Sequence, residues 1–253
     1  GIEGKHKKGQ FVDRIYENPK IGPSKYKPKV DVLSIDIETD PSAQQVYSIS
    51  LYSEKTRKVL IVGKEKLKKA ECVATEKELL ERFSELVKEL DPDVLLGWNF
   101  IDFDLSVLKK RFDHHKIPFQ LGRAEWDCRI RKEQNFFRDS KADIPGRVAL
   151  DGIFLLKWSF VGLPDYKLNT AAKQILGEAK LIESDNRWEE IDRLYREEPQ
   201  KLVDYNLKDA ELAYNIADKS GVMELSINRA LLTGLQLDRI NASVASLDSV
   251  YIR

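Results

Sequence analysis

The 253 residues carry 42 Lys and Arg against 42 Asp and Glu, a formal net charge of zero, and 42% of the side chains are hydrophobic. That size and apolar content bury a substantial core, as one large domain or two small ones, while the charge balance excludes a global field that would pull the molecule onto nucleic acid. Cys72 and Cys128 are far apart and outside any Cys-x-x-Cys pair, which suggests neither a disulfide framework nor a zinc site; no apolar run is long enough to cross a membrane, and no apolar signal region opens the chain.

Residues 1–29 hold Lys5, Lys7, Lys8, Arg14, Lys20, Lys25, Lys27 and Lys29 against Glu3, Asp13 and Glu17, with Pro19, Pro23 and Pro28 barring a long helix. This stretch reads as a solvated tether, with contact to phosphates as the alternative. From Val30 the pattern turns to short β-branched runs at 30–37, 46–52 and 59–62, parted by turn-prone Asp40-Pro41-Ser42 and by residues 54–58. Three adjacent strands are predicted. Leu79, Leu80, Phe83, Leu86, Val87 and Leu90 then recur at helical spacing, and Thr75 precedes Glu78 in capping-box register, so 75–90 is a predicted amphipathic helix.

Asp91-Pro92-Asp93 ends that helix, 94–96 reads as a buried strand, and 105–112 begins a second helix. The order implies a mixed sheet with helices on its faces. Residues 121–147 are polar, interrupted by Trp126, Phe136 and Phe137, and suit a hairpin or ordered loop. A short run at 148–150 is followed by helical segments at 153–158, 168–176, 187–196 and 201–223. The reading is one α/β domain over 30–223, with the basic lead-in before it and an extension, 224–253, after it.

Three elements carry candidate chemistry. In Asp36-Ile37-Glu38 strand alternation puts both carboxylates on one face, and two like charges side by side invite a hard divalent cation bound through oxygen. The same pattern recurs at Asp209-Ala210-Glu211, where helical geometry makes the side chains diverge. Gly97-Trp98-Asn99-Phe100-Ile101-Asp102-Phe103-Asp104 follows a buried strand and precedes a helix, at the kind of strand end where open α/β sheets place ligands; Asp102 or Asp104 could equally cap the helix. Finally, Tyr205 and Asp209 share a helix face at spacing four, as do Tyr214 and Asp218 half a turn away. Apolar residues lie on both sides of that helix, so its geometry alone does not choose between the pairs.

The ordered set Asp36-x-Glu38, Asn99-x-x-x-Phe103-Asp104 and Tyr205-x-x-x-Asp209 resembles the three exonuclease motifs of family B DNA polymerases. Gly146-Arg147 with Asp151, Tyr166-Lys167-Leu168-Asn169 before Leu176-Gly177-Glu178, and Thr233-Gly234-Leu235 with Asp238-Arg239 extend the likeness over about residues 31–253, nearest to the bacterial DNA polymerase II branch.

The resemblance implies a ribonuclease H-like fold with a central five-stranded mixed sheet. It implies a fragment, with 1–29 leading in from an N-terminal domain, 224–253 leading toward a polymerase domain whose palm motifs are not among these residues, and a hairpin within 119–147 near separated primer and template strands. Asp36, Glu38 and Asp209 would ligate one Mg²⁺ or Mn²⁺, and Asp36 with Asp104 a second, about 3.5–4 Å away. Tyr205 would position the attacking water. The histidine-bearing branch of the superfamily is disfavoured, because the histidines are His6, His114 and His115 and the last two fall at the solvated end of a helix. Thr39, Asn99 and Phe103 would touch the terminal nucleotide, and Trp98, Trp126 and Phe136 are candidate stacking residues.

The implied activity is 3′-to-5′ proofreading on single-stranded or frayed DNA ends, releasing nucleoside 5′-monophosphates. DNA and the rest of a polymerase chain would be the partners, in the cytoplasm at the nucleoid and without a membrane. An exoribonuclease of the same superfamily and a catalytically silent single-strand-binding or scaffolding module are the other readings.

Overall fold

The computed structural model describes residues 1–10, 12–22, 24–132, 140–178, 187–240, 248, 250 and 251. In the lead-in, β1 (Ile2–Glu3) pairs with β4 (Lys20–Ile21), and β2 (His6–Lys7) pairs with β3 (Ile15–Tyr16), as two small antiparallel ribbons. These residues are mostly exposed, as proline and repeated lysine dictate.

The three predicted strands form β5 (Val32–Thr39), β6 (Val46–Tyr52) and β7 (Arg57–Val62), joined as antiparallel neighbours. A fourth, β8 (Ala70–Val73), runs parallel to β7; it is half-buried and carries no apolar alternation that would mark it in the sequence. Helix α1 (Glu76–Leu90) starts at its predicted cap, with the Thr75 side chain accepting from the Glu78 amide at 3.2 Å, while the Glu78 carboxylate reaches back one residue beyond the cap to accept from the Ala74 amide at 2.9 Å. Such a cap stabilises a helix by about 1 kcal/mol.

Next come β9 (Val94–Gly97), α2 (Asp104–His114), β10 (Arg129–Arg131), β11 (Lys141–Ile144) and β12 (Arg147–Asp151). The expected hairpin is seen as antiparallel β10 and β11, Arg129 opposite Asp143; Phe136 and Phe137 lie outside the described residues. The sheet order is β10-β11-β12-β9-β5-β6-β7-β8. Its middle five strands, β7-β6-β5-β9-β12, make a mixed sheet with β9 parallel to both β5 and β12, which is the expected five-stranded core. The sheet continues beyond it at both edges, to eight strands among the described residues.

The chain finishes with α3 (Gly152–Trp158), α4 (Leu168–Ala171) running into a π-helical turn (Ala172–Leu176), α5 (Arg187–Glu197), α6 (Pro199–Lys219) and α7 (Val222–Thr233). The helix expected over 201–223 therefore ends earlier. Gly221 adopts φ +74°, a left-handed conformation that breaks the hydrogen-bond ladder and starts α7 as a separate helix.

Alternation sorts the core into two layers. Leu33, Ile35 and Ile37 of β5 face α1 and α2, meeting Phe83, Leu105 and Phe112. The opposite face is covered largely by α6, which packs Leu212 and Ile216 over β9 and β12 and Val203 and Leu207 over β6 and β7. Each such side chain, when fully buried, contributes about 1.5–3 kcal/mol. Helix α6 is thus apolar on two sides, and the strip of sheet between its two apolar contacts is polar, formed by Ser34, Asp36 and Glu38 of β5 with Ser48 and Ser50 of β6. A register shift at Glu38/Thr39 sits at the end of that strip, as bulges often do beside functional sites.

Candidate active site

Asp36 and Glu38 project from one face of β5, and α6 lays Asp209 across them. Oxygens of the three carboxylates lie within 4.8 Å of one another, the one such acidic group among the described residues that could hold a metal ion. Glu38 and Asp209 are buried and Asp36 is half-buried. Tyr205, one turn before Asp209, lies buried beside the cluster. Tyr214 instead packs edge-on against Tyr52 with centroids 5.4 Å apart, which resolves the two equivalent spacings on this helix.

Like charges this close need compensation. Asn206 supplies part of it, donating to Asp36 Oδ2 at 2.7 Å and to the Asp36 carbonyl at 3.1 Å, while the Ser48 hydroxyl donates to Asn206 Oδ1 at 2.9 Å. Arg187 adds to it, with Nη2 3.2 Å from Glu38 Oε1 and 3.6 Å from Asp209 Oδ2. Burial works against the charged guanidinium, but the charges of Glu38, Asp209 and Asp36 outweigh it and raise its pKa. The Tyr205 phenol is pushed well above its ordinary value, by burial first and then by Asp209 and Glu38, so it stays protonated.

Asp104 reaches the cluster from β9. Gly97 permits the approach, since a Cβ there would stand 2.7 Å from the Ile35 carbonyl oxygen. Asn99 turns the chain with φ +57°, a left-handed value that asparagine tolerates. Asp104 is then the first residue of α2, buried, accepting from the Ile37 amide at 3.0 Å, between the two strand carboxylates. It stands outside the three-carboxylate group but lines the same cleft. Burial pushes its carboxyl well above the usual range, and the charges of Asp151 and Glu38 push the same way against the Ile37 amide.

The chain matches the sequence model of the DNA polymerase family B exonuclease domain over residues 6–171. The chain belongs to this family. DNA polymerase II of Escherichia coli K12 is 36% identical over 264 aligned residues, covering 99% of this chain and 32% of that protein. DNA polymerases of Thermococcus kodakarensis and Thermococcus gorgonarius are 26% and 27% identical, each match covering 87% of this chain but 13% and 28% of the relative. The chain therefore spans about a third or less of these relatives' lengths. Exonuclease domains of family B polymerases are metal-dependent 3′-to-5′ exodeoxyribonucleases with a ribonuclease H-like fold, and the sheet order described above is of that kind.

A cleft of about 590 Å³ opens over the carboxylates, walled by Asn99, Phe103, Tyr166, Arg187 and Trp188. A roomier one, about 750 Å³, lies elsewhere among Lys8, Arg123 and Arg147, but its arginines are already tied to Asp91 and Asp93. In the exonuclease cleft Asn99 is exposed and Phe103 half-buried, 6.1 Å from the ring of Trp188. Thr39 is not on the cleft wall; it is buried, and its hydroxyl donates to the Asp40 carbonyl at 2.9 Å. Trp98 lines the cleft with its Nε1 donating to the Tyr166 carbonyl at 2.9 Å. Trp126 is exposed and not part of the wall, Asp102 is also not on it, and Phe136 lies outside the described residues.

His115 corrects one expectation. Rather than ending a solvated turn, it lies 2.8 Å from Glu76, whose buried carboxylate also binds Arg111 and the Val46 amide and so ties α1, α2 and β6 together. No described helix is long and apolar enough to cross a membrane. Sequence reasoning missed Arg187, Asn206 and Trp188 as site residues. Asn206 had a signal, an amide next to the motif tyrosine; Arg187 and Trp188 read only as a helix start.

The donor set suits the metal dependence of the family. Asp36, Glu38 and Asp209 all offer carboxylate oxygens, the choice of hard divalent cations.

Proposed function

We propose that this chain removes nucleotides from the single-stranded or frayed 3′ end of DNA, hydrolysing the terminal phosphodiester and releasing nucleoside 5′-monophosphates as the proofreading arm of a DNA polymerase. The observation that carries this is the meeting of Asp36, Glu38 and Asp209, with Asp104 and Tyr205 beside them, at the floor of an open cleft. Asp36, Glu38 and Asp209 would hold one Mg²⁺ or Mn²⁺, and Asp36 with Asp104 the second. Bound there, two divalent ions supply a nucleophile at neutral pH and offset charge on the reacting phosphate.

The protein's own groups do the positioning. Tyr205, kept protonated by burial and neighbouring carboxylates, offers a hydroxyl that orients the attacking water. Asn206 holds Asp36 in its rotamer through Oδ2, and the Ile37 amide holds Asp104. Asn99 and Phe103 would contact the terminal nucleotide from the cleft wall. Zero net charge is compatible with this substrate, since a frayed end needs few phosphate contacts and some aromatic stacking.

Residues 30–223 would be the exonuclease domain, with 1–29 as a linker from an N-terminal domain and 224–253 leading toward the rest of a polymerase chain, which with DNA would be its partner in the cytoplasm at the nucleoid. The test is a 5′-labelled single-stranded DNA with Mg²⁺, which should give a descending ladder that Asp36→Ala with Glu38→Ala abolishes. An intact protein that makes no ladder, or a double variant that still makes one, refutes the assignment; comparable turnover of an RNA oligonucleotide would favour the exoribonuclease reading.

A further inference from the structure

Arg187 opens α5 and sends its guanidinium onto the carboxylate cluster, with both ion pairs, to Glu38 and Asp209, running through Nη2. Its Cζ lies 5.7 Å from the ring centroid of Tyr205 and 5.9 Å from that of Trp188. Its Nε is buried without a hydrogen bond. The fork is therefore only partly used, and it sits on oxygens that a divalent cation would need. A guanidinium and a divalent ion repel each other, so both cannot keep Glu38 and Asp209 at these distances.

We propose that Arg187 is a substrate-binding residue that passes from carboxylate to phosphate. It neutralises Glu38 and Asp209 while no metal is bound, is displaced by the divalent ion, and then donates to the non-bridging oxygens of the terminal phosphodiester. This rests on the exonuclease reading above. Two features direct the displaced group to phosphate. The faces of Tyr205 and Trp188 flank it and retain a cation within the cleft. A planar fork with unused donors matches phosphate oxygens, and the phosphodiester is the anion the reaction brings to this wall.

The test compares the parent chain with Arg187→Met and Arg187→Lys. Calorimetric titration with Mn²⁺ in the absence of DNA should show Arg187→Met binding tighter, by on the order of tenfold, because the resident competitor is gone. Anisotropy of labelled single-stranded DNA in Ca²⁺ should show the parent favouring a terminal phosphodiester over a charge-neutral methylphosphonate. Arg187→Met should lose that preference, and Arg187→Lys, which keeps the charge without the fork, should retain part of it. Unchanged Mn²⁺ affinity in Arg187→Met, or a preference that survives in it, overturns the proposal. A parent that binds no Mn²⁺ sinks the metal reading itself and takes the proposal with it.

Discussion

Asp151 is a buried acid beside the site, and replacing it with Asn should change how stability depends on pH. It caps α3, accepting from the Ile153 amide at 2.9 Å, while Oδ2 is buried without a hydrogen bond. Burial raises its pKa from 3.8 to about 6, opposed by the Ile153 amide and helped by the charge of Asp102. A folded-state pKa above the unfolded one means the folded protein prefers the protonated acid. The contribution is intact below about pH 3.8, ebbs as pH rises, and is gone once pH has passed about 6. A shift of about two pKa units at ~1.4 kcal/mol each makes the loss about 3 kcal/mol. Asn cannot ionise, so Asp151→Asn should lack it. Whatever constant difference the amide introduces, the variant should gain about 2.5 kcal/mol on the parent between pH 4 and pH 7. Urea unfolding of both proteins across that range, in EDTA, measures the difference. A gap that stays flat with pH would mean Asp151 ionises normally in the folded state and would refute the account of its burial.

Asn206→Ala should lower Mn²⁺ affinity and nuclease rate by about 10–100-fold, since partners that orient a ligand matter nearly as much as the ligand; rates and titrations equal to the parent would show that Asp36 needs no support from α6. Gly97→Ala should destabilise the protein by about 1–3 kcal/mol in denaturant unfolding, as a methyl group 2.7 Å from the Ile35 carbonyl forces β9 away from β5. An unchanged midpoint would show that this approach is not tight.

What was legible in the sequence is what local pattern controls. Alternation in β5 put Asp36 and Glu38 on one face, and the capping box placed the start of α1. The pairing of β6 with β5 and with β7 followed from adjacency. Strand β8 was hidden because it is half-buried along its length and has no face to advertise. Helix α6 announced that it would be buried on two sides, yet periodicity could not say whether Tyr205 or Tyr214 faced the acids, because that depends on where Val203 and Leu212 dock. Arg187 was illegible for the same reason: it is brought to Glu38 across 149 residues of sequence, by the packing of α5 against the sheet.

The site's charge follows from these different origins. Asp36, Glu38 and Asp209 are contributed by a strand and a helix that apolar packing forces together, so their mutual repulsion is imposed by the fold. Arg187 meets Glu38 and Asp209, while Asp36 accepts from the Asn206 amide. Asp104 is relieved differently, by burial and neighbouring charge that favour its protonated form. A divalent ion bound at this end of the sheet would meet the same two carboxylates, Glu38 and Asp209, that Arg187 holds, so the repulsion imposed by the fold and the proposed displacement of Arg187 act on one set of groups.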